Sequence, residues 1–215
     1  RERCYRFIDF FVEKNTFYQA FEFIEGNTSL QTCLDDAKRF SKEQLATFSK
    51  VLVFGLRALH GVKVIHTDLK PENVILIPDT SISAGYRLRL IDMDWSIFSD
   101  KRAPWDGFQG YVGTPGFQSP EHLKGDVPLP ASDVFTCGIM LGQLLGGLHP
   151  FNDAIKSDRY QKAVLSGKFT KIALKHTIEH ASSPEAIAEI LNSCLSVKPT
   201  ERPTIQEVGD VLIGK

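Results

Sequence analysis

An α+β fold is predicted, with strands at the front of the chain and short hairpins set into a mainly helical remainder. Three observations carry this. Residues 3–12 and 16–24 are runs rich in aromatic and β-branched residues, separated by the polar Glu13-Lys14-Asn15, which is the pattern of a hairpin. Ser41-Lys42-Glu43-Gln44 is a capping box, in which serine and glutamine satisfy each other's free backbone N–H groups. Apolar Leu45, Phe48, Val51, Leu52, Phe54, Leu56 and Leu59 follow it at mixed three- and four-residue spacing, so a long and largely buried helix starts there. Residues 131–146 are apolar on nearly all sides (Val134, Phe135, Ile139, Met140, Leu141, Leu144, Leu145) and read as a central helix.

The other elements follow in order. Glu25-Gly26-Asn27 breaks the second strand, and residues 28–36 can form a short helix. His60-Gly61 ends the capped helix, and Val62 to Ile65 leads into a polar loop. Val74 to Ile77 is a short strand, residues 78–85 a long turn, and Tyr86 to Ile91 a returning strand with Leu88 and Leu90 on one face and Arg87 and Arg89 on the other. This second hairpin delivers Asp92 to the end of its last strand, where it can face Asn73. Residues 92–120 contain no convincing helix, yet Trp95, Phe98, Trp105, Phe108 and Tyr111 make them too apolar for disorder, so an ordered functional loop is expected. Gly146-Gly147 stops the central helix. Residues 153–166 read as one more polar helix. Ser183-Pro184-Glu185 supplies a cap, a proline at the first helical position and an acidic first turn for a helix over 184–195. Thr204-Ile205-Gln206-Glu207 is a capping box that opens the last helix. No repeat or linker appears, so residues from about 27 to 215 read as one helical unit.

Composition narrows the function classes. The 215 residues are 42% hydrophobic and 24% charged, ordinary for a globular protein. The net charge of −1 offers no electrostatic case for nucleic acid or a membrane surface as main partner. The four cysteines, Cys4, Cys33, Cys137 and Cys194, are far apart and form no Cys-x-x-Cys pair; they read as reduced thiols of a cytoplasmic protein. No apolar run reaches the ~18 residues of a membrane span, and no signal peptide is seen. His176 and His180 are four apart and could share a helix face as zinc ligands do, but with no third ligand nearby they read as surface or cap histidines.

The chemistry concentrates in His66-Thr67-Asp68-Leu69-Lys70-Pro71-Glu72-Asn73. A carboxylate, an amine and an amide lie within six residues of loop between two elements that can be buried. Asp68 can accept a hydroxyl proton, Lys70 can neutralise phosphate charge, and Asn73 can ligate a metal through its amide oxygen. The segment resembles the catalytic loop of eukaryotic-type Ser/Thr protein kinases, matching seven of its eight residues. The resemblance extends to Leu90-Ile91-Asp92-Met93-Asp94-Trp95, similar to the Asp-Phe-Gly segment, and to Gly113-Thr114-Pro115 through Ser119-Pro120-Glu121, similar to the Gly-Thr-Pro to Ala-Pro-Glu segment. It continues in Ser132-Asp133 through Gly138, in Gly147-Leu148-His149-Pro150-Phe151 and in Pro199-Thr200-Glu201-Arg202-Pro203-Thr204, and covers roughly residues 16–215.

The resemblance implies a kinase-like fold: a helical C-lobe over 27–215 with catalytic loop 66–73 and metal-binding and activation segment 92–121, preceded by a remnant of the N-lobe sheet and hinge over 1–26. It implies ATP and Mg²⁺ as cofactors and a protein substrate. Asp68 would be the catalytic base, Lys70 would contact the transferred phosphate, and Thr114 would steady both. Asn73 and Asp92 would hold Mg²⁺. Phe21, at the back of the adenine pocket, with Glu22, Phe23, Ile24 and Ile75 would contact the nucleotide. His66 would be structural, Glu121 would pair with Arg202, and Asp133 would anchor the catalytic-loop backbone. Lys70 and the Gly-Thr-Pro segment are similar to Ser/Thr-specific and not tyrosine-specific kinases.

The chain departs from the pattern in four places. Thr67 stands where the family has an arginine that pairs with an activation-loop phosphate, which argues against that switch. Asp94 replaces glycine, adding a β-carbon and a charge beside Asp92. Met93 replaces phenylalanine, a swap that packing tolerates. There is no Gly-x-Gly-x-x-Gly loop or Val-Ala-Ile-Lys strand, as expected of a piece of a longer protein or of a naturally reduced kinase; Arg1 as first residue favours the former. The reading is a Ser/Thr protein kinase. The rival is a pseudokinase or interaction scaffold with a residual site, supported by Thr67, Asp94 and the missing motifs. A small-molecule kinase is a third reading, against which the peptide-docking resemblance of residues 113–121 argues. Unpaired strands near residues 3–24 would invite dimerisation.

Overall fold

The structure is a computed structural model that describes residues 4, 6–103, 112–174 and 178–215. Its first element pair is the expected hairpin, β1 (Phe7–Glu13) and β2 (Thr16–Phe21), antiparallel with Glu13 opposite Thr16. Lys14 and Asn15 between them both have positive φ, 48° and 62°. That two-residue turn matches the right-handed twist of the strands it joins. Cross-strand aromatic pairs hold the hairpin, with Phe11 stacked on Tyr18 at 5.0 Å and Phe10 on Phe17 at 5.5 Å. Nearly every residue of both strands is solvent-exposed.

A three-stranded sheet follows, in the order β3 (Thr28–Ser29), β5 (Val74–Pro78), β6 (Tyr86–Leu90), all antiparallel. The expected alternation in β6 is only half met. Arg87 is exposed, but Arg89 is buried like Leu88 and Leu90. The reason is tertiary: Glu22, just past β2, lies over that face with its Oε1 3.7 Å from Arg89 Nε, and Cys4 forms an isolated bridge to Leu90. A third, two-stranded sheet pairs β4 (Val64–Ile65) with β7 (Ile97–Phe98). The β7 strand lies inside the stretch expected to be a loop; its pairing partner is more than thirty residues away, so no local pattern announces it.

The helices form the core. α1 (Leu30–Asp35) is capped by the Ser29 hydroxyl, and α2 (Lys42–Gly61) carries the reciprocal Ser41/Gln44 box as expected. After α3 (Pro120–Lys124), α4 (Pro130–Gly146) runs through the centre, buried almost throughout, and ends at Gly147 in a left-handed conformation with φ 75°. α2, α7 (Pro184–Cys194) and α8 (Ile205–Leu212) pack on α4 or on one another, with Ser183 and the Thr204/Glu207 box as caps. The approach of α7 to α4 is close: a β-carbon at Gly138 would lie 2.6 Å from Cys194 Cβ. The single helix expected over 153–166 is instead two, α5 (Asn152–Lys156) and α6 (Tyr160–Leu165). Asp158 between them has φ 53°, outside helical space, and breaks the run. Among the described residues no helix is long and apolar enough to cross a membrane.

Candidate active site

The 66–73 loop leaves β4 and enters β5, and its shape is set from below by α4. Asp133, in the first turn of α4 and 1% exposed, accepts the His66 N–H at Oδ2 (2.8 Å) and the Thr67 N–H at Oδ1 (3.0 Å). His60 Nε2, at the end of α2, lies 2.9 Å from the same Oδ2. Burial alone would push the Asp133 carboxyl up; the bonds from His60 and His66 outweigh it and hold it below the usual range. The anchoring matters because Thr67 sits at φ 67°, a conformation disfavoured for a β-branched residue and costing about 1–3 kcal/mol. The Thr67 hydroxyl donates to the Trp95 carbonyl at 2.8 Å.

Above this anchor the charged residues meet. Lys70 Nζ donates to Thr114 Oγ1 at 3.0 Å, and that hydroxyl donates to Asp68 Oδ1 at 2.7 Å. One hydroxyl thus accepts from the amine and donates to the carboxylate, using both of its capacities. Lys70 Nζ also lies 3.5 Å from Asp68 Oδ2. Asn73 is buried and its Nδ2 donates to the Asp68 carbonyl at 2.9 Å, which leaves the amide oxygen as the end free to ligate. The Ile91 N–H bonds the Asn73 carbonyl at 3.0 Å, and His66 Nε2 donates to the Ile91 carbonyl at 3.1 Å. Asp92 follows at φ 58°, exposed, with no ion pair or side-chain hydrogen bond among the described residues. Two oxygen donors of hard character with free lone pairs fit Mg²⁺, which takes one or two protein ligands and completes its shell with phosphate and water. No group of three or more His, Cys, Asp or Glu side chains gathers for a metal among the described residues.

The residues singled out for the nucleotide are less closely gathered. Phe21 is half exposed with its ring edge-on to Phe7 at 5.8 Å, and Phe23 is 90% exposed. Glu22 spends its carboxylate on the Arg6 N–H (2.9 Å) and on Arg89. Ile24 is half-buried and Ile75 buried in β5. His180 lies in a turn at φ 55° and not on a helix face; His176, Trp105, Phe108 and Tyr111 fall outside the described residues.

The segment 112–121 is held by a second buried pair. Arg202 Nη2 and Nη1 grip Glu121 Oε1 (2.7 Å) and Oε2 (3.0 Å), while its remaining N–H groups donate to the Ser196, Ala131 and Val197 carbonyls. All five guanidinium donors are therefore used. Burial pushes the Glu121 carboxyl up, but Arg202 and the Ser119 and Ser132 hydroxyls outweigh it, so it lies below the usual range. His149 fixes the same segment from another side. Its Nε2 donates to the Gly116 carbonyl at 3.0 Å and its Nδ1 accepts the Phe151 N–H at 3.1 Å. A second ring proton would face that N–H, and burial pushes the His149 pKa down to about 4. Sequence reasoning assigned no role to His60, Ser132 or His149, although Ser132 and His149 lie within the motifs that carry the resemblance. His60 and His149 act on partners 73 and 33 residues away and Ser132 on Glu121, eleven away, distances across which periodicity says nothing.

A family model for the protein kinase domain matches residues 2–211. The chain is 29% identical to a probable serine/threonine-protein kinase of Dictyostelium discoideum, over 91% of this chain and 11% of that protein. It is 31% identical to a calcium and calcium/calmodulin-dependent serine/threonine-protein kinase of Oryza sativa subsp. japonica, over 79% of this chain and 31% of that protein. A calcium/calmodulin-dependent protein kinase type II of Caenorhabditis elegans is 29% identical, over 94% and 26%. The chain spans less than a third of the length of these curated relatives.

Two expectations follow from the tethers. Arg202→Lys cannot reproduce the bidentate grip, and Arg202→Met leaves Glu121 buried without a counter-charge. Loss of one partner of such a pair costs about 3–5 kcal/mol. Urea unfolding of both variants measures it, and a cost within ~0.5 kcal/mol of zero for either would contradict the assignment. For His149 the unfolded imidazole titrates near 6.5. Between there and the folded value of about 4 the unfolded chain holds a proton that the folded chain lacks. Stability from this group is thus complete above about pH 6.5 and is lost as pH falls. Wild type is expected to lose on the order of 1–2 kcal/mol more than His149→Gln between pH 7 and pH 5. Parallel unfolding curves for the two proteins over that range would reject it.

Proposed function

We propose a serine/threonine phosphotransferase activity for this chain, which belongs to the protein kinase domain family. The observation that carries the reading is the Lys70–Thr114–Asp68 chain of hydrogen bonds, built on a loop whose backbone is tied to Asp133. In this reading the γ-phosphate of ATP passes to a serine or threonine hydroxyl of a protein substrate. Asp68 accepts the proton that the hydroxyl loses, while Thr114 holds the carboxylate oriented toward it. Lys70 offsets charge on the transferred phosphate. Asn73 and Asp92 are assigned to hold Mg²⁺, whose charge, when bound, offsets that of the phosphate oxygens. Phe21, Glu22, Phe23, Ile24 and Ile75 are assigned to the nucleotide, and His66, Glu121, Asp133 and Arg202 to support of the site. Residues 1–26 are assigned as the remnant of a sheet lobe with its hinge, and 27–215 as the helical lobe with catalytic loop 66–73 and segment 92–121. Four free cysteines, three of them buried, support a cytoplasmic place of action.

The exposed β1–β2 hairpin is assigned a second role, pairing with the same hairpin of another copy. A two-stranded sheet is marginal in water, and both edges of this one offer unpaired backbone groups beside exposed Phe10, Phe11, Val12 and Phe17. Sedimentation velocity is expected to show a dimer that Phe10→Lys together with Phe17→Lys dissolves. A monomer at all concentrations would remove this assignment.

The activity is tested by calorimetric and melting titrations with ATP, with and without Mg²⁺. A ligand that binds only the folded state stabilises it by about 2.7 kcal/mol at a hundredfold excess over Kd. Asp92→Asn is expected to abolish the Mg²⁺-dependent part. Asp68→Asn should keep nucleotide binding and lose about 10²–10⁴ in turnover on a serine-containing peptide. Equal turnover by Asp68→Asn and wild type, or binding indifferent to Mg²⁺, would overturn the reading.

A further inference from the structure

The break between α5 and α6 opens a cleft that the catalytic reading does not use. Its volume is about 530 Å³, and it lies between α5, α6 and the turn that follows α6. The floor is apolar: Phe151 is buried and Phe169, half-buried, tilts against it at 5.8 Å. The rim is cationic. Arg159, Lys162 and Lys168 line it against a single carboxylate, Asp153, and all four are exposed. None of the three cations has an ion-pair partner among the described residues. The surplus is local, because residues 152–171 hold five basic and two acidic residues while the chain as a whole carries −1.

The cleft is also rigidly joined to the segment beside the candidate active site. The Tyr160 hydroxyl, at the start of α6, donates to the Gln118 carbonyl at 2.7 Å. A β-carbon at Gly116 would lie 3.7 Å from Ile155 Cδ1 of α5. Whatever occupies the cleft is therefore held next to residues 113–121.

We propose that this cleft is a docking site for an acidic segment of a partner protein, with an aromatic side chain seated on Phe169, which buried Phe151 backs, and flanking carboxylates paired with Arg159, Lys162 and Lys168. The floor takes the apolar anchor by burial, and the rim selects for negative charge and speeds encounter. An aspartate- or glutamate-rich stretch with one phenylalanine supplies both.

The test needs no nucleotide, so its outcome is independent of the phosphotransferase reading. A fluorescein-labelled peptide of sequence Glu-Glu-Asp-Phe-Glu-Glu is titrated by anisotropy with the full chain at low and at moderate salt. Two control peptides carry lysine for every acid, or alanine for phenylalanine. The expected result is saturable binding of the acidic peptide, weakened by added salt, weakened for the alanine peptide and absent for the lysine peptide. The variant Arg159→Glu with Lys162→Glu, whose side chains are exposed and whose melting temperature should match wild type, is expected to raise Kd at least tenfold. Absence of saturable binding at millimolar peptide would overturn the proposal. So would an unchanged Kd in the folded double variant, or binding of a phosphoserine peptide in place of the carboxylate one.

Discussion

The Asp133 carboxylate is the constraint on which the arrangement around it depends. It accepts two consecutive backbone N–H groups from the 66–73 loop and lies within hydrogen-bond distance of His60, all while buried in the first turn of the central helix. A helix N-terminus favours negative charge, so the fold supplies part of what burial would otherwise cost. With these two amides fixed, Thr67 can hold a left-handed backbone and Asp68 projects toward Thr114. Asp68, Lys70 and Thr114 are thereby referenced to the almost wholly buried α4 and not only to the loops that carry them.

A set of crosswise bonds then joins β4 and the loop that follows it to the stretch after β6. Ile91 to Asn73, His66 to Ile91, Thr67 to Trp95 and the β4–β7 pairing all run between these two segments. None of them requires an added charge. The residue at position 67 is a buried threonine, and its hydroxyl satisfies a carbonyl of the neighbouring segment directly. Order here comes from neutral hydrogen bonds and short β pairing, and the Glu121–Arg202 pair with the His149 bond does the same for residues 112–121.

Much of this was legible from local pattern. The Ser41, Ser183 and Thr204 caps, the Lys14-Asn15 turn and the burial of α4 all depend on residues a few positions apart, and the structure agrees with each. The meeting of Asp68, Lys70 and Thr114 was anticipated through the resemblance alone, since 46 residues separate Asp68 from Thr114 and periodicity says nothing across that distance. Three features were missed for identifiable reasons. Asp158 breaks a run whose apolar spacing continues through it. Arg89 is buried because Glu22, just past β2, lies against its face. β7 exists because β4 is there to pair with it. In each case a tertiary partner or a single backbone conformation outweighed the local preference.

The β1–β2 hairpin has a consequence for how the molecule exchanges its amide hydrogens. Its strands are almost wholly exposed, and among the described residues the Cys4 bridge and the Glu22–Arg89 contact tie its neighbourhood to the rest of the fold. Opening it exposes little new apolar surface, so its amides are released by a small local fluctuation, whereas those of α4 are released only when the whole core comes apart. The chain therefore carries two tiers of stability along one backbone, and four of the five residues assigned to the nucleotide, 21 to 24, lie on the boundary between them.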